Sequence, residues 1–568
     1  MSLPTLQPRR WLALAAGAAT LLAALAGCGG SDPGLGSGGT GTSNDTVAIG
    51  TVDGFGSIYV AGERCEHLGA RVLWDTYAGG PEAAADPNPD VRLGQRLELT
   101  LDGASAGCRV LAARIAPEVV GTVSAVSPLG TPPTLTVAGA EVIVNTDAAE
   151  GPVTVFDGYD GVADVAVGDR VEVHGKAVPN GTGVAIRATR IERKPSSDAW
   201  VRVAGVVGNL DADSFTLGGL TVNYGAGTTV LPSGFTLRNG LTVAVWSAAA
   251  VQPGNVLDAR AIRVLRRQFA NGERVRLQGP VSGCNGASPC SEPVIDGVTV
   301  QITAGTTFTH GSAADVADGR VLHVRGSFDA ASGKLVARAV AVRRGDPDAG
   351  LVTLVGSVSD FATDGTQTFL RVRGVPVVYA NSAIDTNCTI EDNKLVAVAG
   401  RIEGSSVRAT RIGCPALAVG MVIDVYGQIE SLDSTARTFK INGRPLPVLE
   451  WTDDTVFRNG AAPGTLANGQ YVALRSVYQG GNRFVVQRLV LDDTPPASPT
   501  GGLVFGAFGI ANRVGPDALR VNLLPLAVVT PGSVVFPGVA NGVPVRAWFY
   551  RDVPNARWVA LRVRPVLW

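Results

Sequence analysis

Six cysteines beyond residue 28 carry the most reactive side chains of this 568-residue sequence: Cys65, Cys108, Cys284, Cys290, Cys388 and Cys414. Disulfide formation and metal-thiolate binding are the two chemistries open to them, and six thiols taken alone can pair in 15 ways. None of the spacings is Cys-x-x-Cys. The four histidines, His67, His174, His310 and His323, are scattered, although His67 stands two residues from Cys65. A structural zinc site needs closely spaced ligand pairs, so no metal is expected. Asp157-Gly158-Tyr159-Asp160-Gly161-Val162-Ala163-Asp164 places carboxylates on a glycine-bent loop, as calcium prefers. It departs from the EF-hand spacing and reads first as a solvated acidic loop. Trp451-Thr452-Asp453-Asp454 and Asp492-Asp493 pair carboxylates with nothing to mark a cleft between them. There is no Gly-x-Ser-x-Gly elbow, and Gly54-Phe55-Gly56-Ser57 has no helix after it to receive phosphate. No catalytic residue and no cofactor is expected. Trp548-Phe549-Tyr550, Trp558, Trp74 and Tyr77 are candidate stacking platforms, but an aromatic content of 6% favours packing as their role.

These side chains must be positioned by a repeating element. Seven glycines, Gly50, Gly121, Gly205, Gly279, Gly356, Gly427 and Gly506, each sit in a short apolar strand opening, at a mean interval of about 76 residues. After each comes a tight turn between short apolar runs, such as Val137-Ala138-Gly139-Ala140 or Ile295-Asp296-Gly297-Val298. Turns of that type need positive φ angles. An alternating strand follows, as in Val167 to Gly175, and a closing Ala-x-Arg-apolar signature, as in Ala188-Thr189-Arg190-Ile191. About five short strands in ~70 residues fit a small closed barrel of the OB type. A sandwich would need ~100 residues and a propeller blade only ~40–50. The expected fold is all-β, a tandem array of about seven five-stranded OB-like barrels at 47–117, 118–194, 199–268, 272–345, 350–415, 420–493 and 501–568. Short linkers at 194–198, 344–348 and 492–500 predict a string with limited bending. An even cysteine count inside single repeats selects Cys65–Cys108, Cys284–Cys290 and Cys388–Cys414 as disulfides.

The front of the chain carries an address. Arg9 and Arg10 precede an apolar run from Trp11 to Leu25, which is too short to span a bilayer comfortably. Leu25-Ala26-Gly27-Cys28 resembles the lipobox of bacterial lipoproteins. The resemblance implies a signal peptide at 1–27, cleavage before Cys28 and acylation of Cys28. Gly29 in place of aspartate implies export to the outer membrane, with the body facing the periplasm or the cell surface. The Gly/Ser-rich segment 28–46 reads as a flexible tether reaching ~23 Å. The compartment outside the inner membrane is oxidising, which permits the disulfides.

Composition bounds the rest. Gly at 72 residues is well above the usual ~7%. Hydrophobic residues at 45% exclude a disordered chain, and 48 Lys+Arg against 49 Asp+Glu leave a net charge of -1. That balance argues against nucleic acid as a partner, since phosphate binding needs clustered cations. Arginine outnumbers lysine 43 to 5, which reads as genome composition without functional content. The expected partners are the membrane, through N-terminal acyl chains, and an envelope protein or glycan. The stretch from Gly50 to Ile58, the strand from Val167 to Gly175 and Ala188 to Ile191 resemble the repeat family of bacterial lipoproteins catalogued as domain of unknown function 5666. The match is clearest in the first, second and fifth units. The resemblance implies an OB-like fold and an envelope setting, and supplies no reaction. The function expected is a non-catalytic, lipid-anchored binding or scaffold protein. A carbohydrate-binding or adhesion protein would instead show an exposed aromatic stripe, and an enzyme with its site in one divergent repeat a deep pocket holding titratable groups.

Overall fold

The computed structural model describes residues 45–567, apart from short stretches at 56–57, 61–62, 68, 87–88, 105–107, 149–151, 181–182, 266–268, 343–350, 364–367, 443–447, 501–503, 523 and 525. The signal segment, Cys28, nearly all of the tether and the linker at 344–348 lie outside the described residues.

The second unit shows how the repeat folds. Its strands are Val119–Ser127, Thr134–Val137, Ala140–Val144, Arg170–Asn180 and Gly183–Lys194. The first three form an antiparallel meander. The third then runs parallel to the fifth, the fifth antiparallel to the fourth, and the fourth returns antiparallel to the first. That circuit closes the sheet, so no long edge is left to pair with other chains. Alternation decides which side is inside. Val123, Leu135, Val137, Val142, Val171, Val173 and Ile191 fill the interior and are buried. Between the second and third strands, Ala138 and Gly139 take φ of 48° and 79°, as a two-residue hairpin requires.

The same circuit closes in units one, four, five, six and seven. The third unit departs, because its fifth strand is broken. Val256–Asp258 pairs with the third strand, and Ala261–Val264 with the fourth. The chain is thus an all-β array of OB-like barrels. A short extra strand parallel to the fifth, absent from the sequence expectation, recurs at Arg71–Trp74, Val155–Asp157, Thr229–Leu231, Thr307–Thr309 and Val534–Val535.

Two kinds of glycine make so tight a roll possible. In the opening strand of unit six, a Cβ on Gly427 would stand 2.4 Å from Ile441 Cγ2 at the end of the second strand. In the fourth strand of unit two, the register slips between His174 and Gly175, and a Cβ on Gly175 would meet the Arg187 carbonyl oxygen at 2.3 Å. The same slip falls at Gly326 and Gly400. These are β-bulges that turn the sheet through the closing corner. Disulfides join Cys65 to Cys108, Cys284 to Cys290 and Cys388 to Cys414, each inside one unit.

The expected string of barrels does not form, and the units cluster. The opening strand of unit one, Val47–Phe55, runs parallel to that of unit four, Arg274–Ser282, with Val47 opposite Val275. Units two and three join through Val119–Ser127 and Val201–Gly208. Apolar residues of units one and five form one continuous core, and those of units two and three another. Arginine is the second adhesive. Arg202 of unit three meets Asp75 of unit one at 2.7 Å, and Arg96 of unit one meets Asp296 of unit four at 2.6 Å. Arg458 of unit six meets Asp86 of unit one at 2.7 Å. The high arginine content therefore has a structural use. A planar guanidinium makes several directed bonds to carboxylates where two outer barrel faces close on each other.

Candidate functional site

Clustering leaves a cavity of about 580 Å³ walled by units one, two, five, six and seven. Unit one contributes Asp90 to Leu93, ahead of its fourth strand. Unit five contributes its second hairpin, from Arg371 to Pro376. Unit seven contributes the opening strand around Phe505 to Ile510, and Arg546 with Trp548 from its fourth strand. Apolar walls come from Val91, Val358, Val375, Val425, Phe505 and Val545. The volume lies in the range of small-molecule pockets.

Charged groups punctuate these walls, and most are paired. Arg475 donates from Nε to Asp424 Oδ1 at 2.6 Å and also bonds Asp90. Burial alone would raise the Asp90 carboxyl, but Arg475, Arg488 and Arg373 outweigh it and hold the group well below the usual carboxylate range. Arg190 bonds Asp157 and Glu192. Arg546 donates from Nε to Asp492 at 2.9 Å, with its guanidinium 4.0 Å from the Trp548 ring centre and 4.4 Å from that of Phe508. Asp360 faces Arg371 at 3.4 Å and Arg546 at 3.8 Å. Burial nevertheless pushes its pKa up to about 6, against the pull of both arginines.

Arg373 differs from these. No carboxylate lies within ion-pair distance of it among the described residues, and its Nε and Nη1 are buried without a hydrogen-bond partner. Burial, then the charge of Arg475, pushes its pKa down to about 10.

The residues singled out from sequence fall elsewhere or into other roles. His67 is pushed down to about 3 by burial and by Arg373 and Arg475, so it is neutral at ordinary pH. His174 accepts at Nδ1 from the Arg96 backbone N–H and contacts Glu172 through Nε2 at 2.9 Å, inside the junction of units one and two. No cluster of three metal-ligating side chains occurs among the described residues. The acidic loop is neither solvated nor a calcium cage. Asp164 pairs with Arg513 at 3.0 Å, Asp160 with Arg520, and Asp157 accepts from Asn522 at 3.0 Å, so the loop docks unit two onto unit seven. Asp453 is an exposed partner of Arg437, whereas Asp492 is enclosed by Arg546 and Arg564. Trp451, Trp548, Phe549 and Trp558 are buried, and Trp548 packs on Tyr426 of unit six at 5.8 Å. No tryptophan among the described residues is exposed, so there is no tryptophan stripe for a glycan face. Sequence reading singled out Asp157 and Trp548 in other roles and missed Arg373 and Asp360 of the same cavity. Arg373-Gly374 occupies the hairpin position held by Ala138-Gly139 and Asp296-Gly297, and that contrast was the available signal.

The family described as Domain of unknown function (DUF5666) matches at residues 120–192, 204–263, 278–341 and 426–488. The matched stretches fall on four units of this chain. They are the second, third, fourth and sixth, so the expectation that units one and five carry the clearest match is corrected. Unit one inserts a helix, Pro81–Ala85, ahead of its fourth strand. No curated protein matches the chain. Among solved structures, drosophila Unr CSD456 is 14% identical, covering 38% of this chain and 97% of its own, with a TM-score of 0.10. A multidomain protein with nucleic acid binding domains from Streptococcus pneumoniae is 12% identical, covering 38% of this chain and 73% of its own, with a TM-score of 0.12. That second description corrects the exclusion of nucleic acid as a partner, and the exclusion is withdrawn. Net charge was the wrong measure for it, since binding depends on local cations and stacking faces. Scores this low carry no argument about what this chain itself binds.

Proposed function

We propose that this chain is a non-catalytic binding protein of the bacterial cell envelope. In this reading it is held at the outer membrane by lipid on Cys28, faces the periplasm or the cell surface, and receives a small ligand in the shared cavity. The observation that carries the reading is the cavity itself, about 580 Å³ with walls supplied by five separate barrels. No single unit walls this cavity alone, so the cluster creates it. Two observations support the envelope setting: the Leu25-Ala26-Gly27-Cys28 sequence and three disulfides of the kind an oxidising compartment sustains. No helix among the described residues is long and apolar enough to cross a membrane.

Two experiments test it. Metabolic labelling with radioactive palmitate should mark the intact protein, and Cys28→Ala should abolish the label and release the protein from the membrane fraction. Binding of the neutral fluorescent probe N-phenyl-1-naphthylamine should saturate at one per chain. Ala473→Phe, which fills the cavity from the unit-six wall, should remove that binding while leaving cooperative melting intact. An unchanged titration in Ala473→Phe places binding elsewhere and ends the cavity reading. A second reading, acid–base catalysis, is favoured by one observation, the raised Asp360. The binding reading is preferred because Asp90, Asp157 and Asp424 are already held by arginines.

A further inference from the structure

Arg373 bears two costs that its position does not explain. It sits at the first turn residue of a hairpin with φ of 56°, where asparagine, aspartate or glycine is the usual choice. The residue is only 8% exposed, and Nε and Nη1 of its guanidinium are buried with no partner. Such a group is expensive to leave unsatisfied. The matching residue in unit four shows the contrast. Asp296, at φ of 52°, is bound by Arg96 at 2.6 Å and lies 3.4 Å from Lys176. There, the turn residue joins three units. Arg373 instead rests its stem over Gly356 and its guanidinium 5.1 Å from the Phe55 ring centre. The nearby carboxylates Asp90 and Asp424 are both held by Arg475.

Three more cavity-lining groups are buried without partners: the indole Nε1 of Trp548 and the hydroxyls of Ser405 and Tyr426. The indole and the guanidinium are donors only, and the hydroxyls can donate. The unsatisfied polar groups of this cavity therefore ask for acceptors, beside a largely apolar wall. A guanidinium fork is built for a planar or tetrahedral oxyanion.

We propose that the shared cavity binds a small amphipathic anion, an apolar body carrying one oxyanion head, with the head held by Arg373. The proposal rests on the reading of the cavity as a binding site and adds the charge of its ligand. Unit five supplies the anchor, and units six and seven supply the surface that covers the apolar body.

The test uses the intact protein and two matched dyes. The anionic probe is 8-anilinonaphthalene-1-sulfonate, and the neutral one is N-phenyl-1-naphthylamine, which lacks the sulfonate. The anionic dye should bind at one per chain and at least about tenfold more tightly than the neutral one. Arg373→Met keeps an unbranched apolar stem and removes an unpaired interior charge, so its melting temperature should hold or rise. In that variant the anionic dye should lose at least about tenfold in affinity, the equivalent of about 1.4 kcal/mol, with the neutral dye unchanged. Equal binding of both dyes to the intact protein, or an anionic preference that survives Arg373→Met, overturns the anion proposal and leaves the cavity reading standing. Failure of both dyes to bind the intact protein overturns both. Loss of cooperative melting in Arg373→Met makes the arginine structural and likewise overturns the proposal.

Discussion

Asp360 shows how a single residue in a shared wall feels several barrels at once. Burial lifts its pKa to about 6, although Arg371 and Arg546 lie within 4 Å. The sign of the resulting pH dependence follows from proton counting. Between the unfolded value near 3.8 and the folded value near 6, the folded protein holds more protons at this site than the unfolded chain. Stability at this site is therefore lost as pH rises through that window. Glu82, also raised by burial, acts in the same direction. The difference in melting temperature between the protein and Asp360→Asn, measured from pH 4 to 7, isolates the contribution of Asp360. The wild type should fall relative to the variant as pH rises, and parallel curves would show that Asp360 ionises normally.

Within the barrel element, closure depends on bulges in the fourth strand as much as on apolar alternation. At Gly175 the backbone of the neighbouring strand comes so close that any side chain meets the Arg187 carbonyl. A backbone atom cannot swing aside as a side-chain tip can. Gly175→Ala should therefore destabilise the protein by about 1–3 kcal/mol, read as a lowered denaturation midpoint. Gly319→Ala offers a control. It has open space around its Cβ and pays only for its φ of +83°. Equal losses at the two sites would mean that the bulge does not impose the constraint. The repeat was legible in sequence because both of its signals are local. Alternation marks the strands, and the Ala138-Gly139 type of turn marks the hairpin. The short parallel strands such as Val155–Asp157 escaped notice, since three residues carry no period.

Across the whole molecule, unit one is the centre of assembly. It touches unit three through Asp75 and through Glu82, which accepts from Trp246 Nε1 at 2.6 Å. It touches unit six through Asp86 and Asp90, unit four through a parallel strand pair, and unit two through Thr189, which donates to the Gly94 carbonyl at 2.6 Å. Asp75 and Arg202 are both buried almost completely. Asp75→Ala strands the arginine charge, which should cost about 3–5 kcal/mol. Replacing the pair together, Asp75→Leu with Arg202→Met, should recover part of that loss, since Arg263 and Arg114 also lose this carboxylate. Thermal melting of the single and double variants measures both. If the single variant melts with the wild type, the pair contributes nothing to docking.

Taken by itself, the amino-acid order determined what is written over short stretches: the barrel type, the sevenfold count, the hairpins and the pairing of cysteines within a unit. Each of these follows from alternation, turn chemistry or counting inside some seventy residues. It did not reveal which barrel lies beside which. Arg202 finds Asp75 across 127 positions and Arg458 finds Asp86 across 372, and nothing in the local pattern links them. Only tertiary structure placed Arg373, Asp360 and Trp548 around one cavity. An enclosure made by five bodies is a property of their packing, and packing between bodies leaves no periodic mark in the sequence of any one of them.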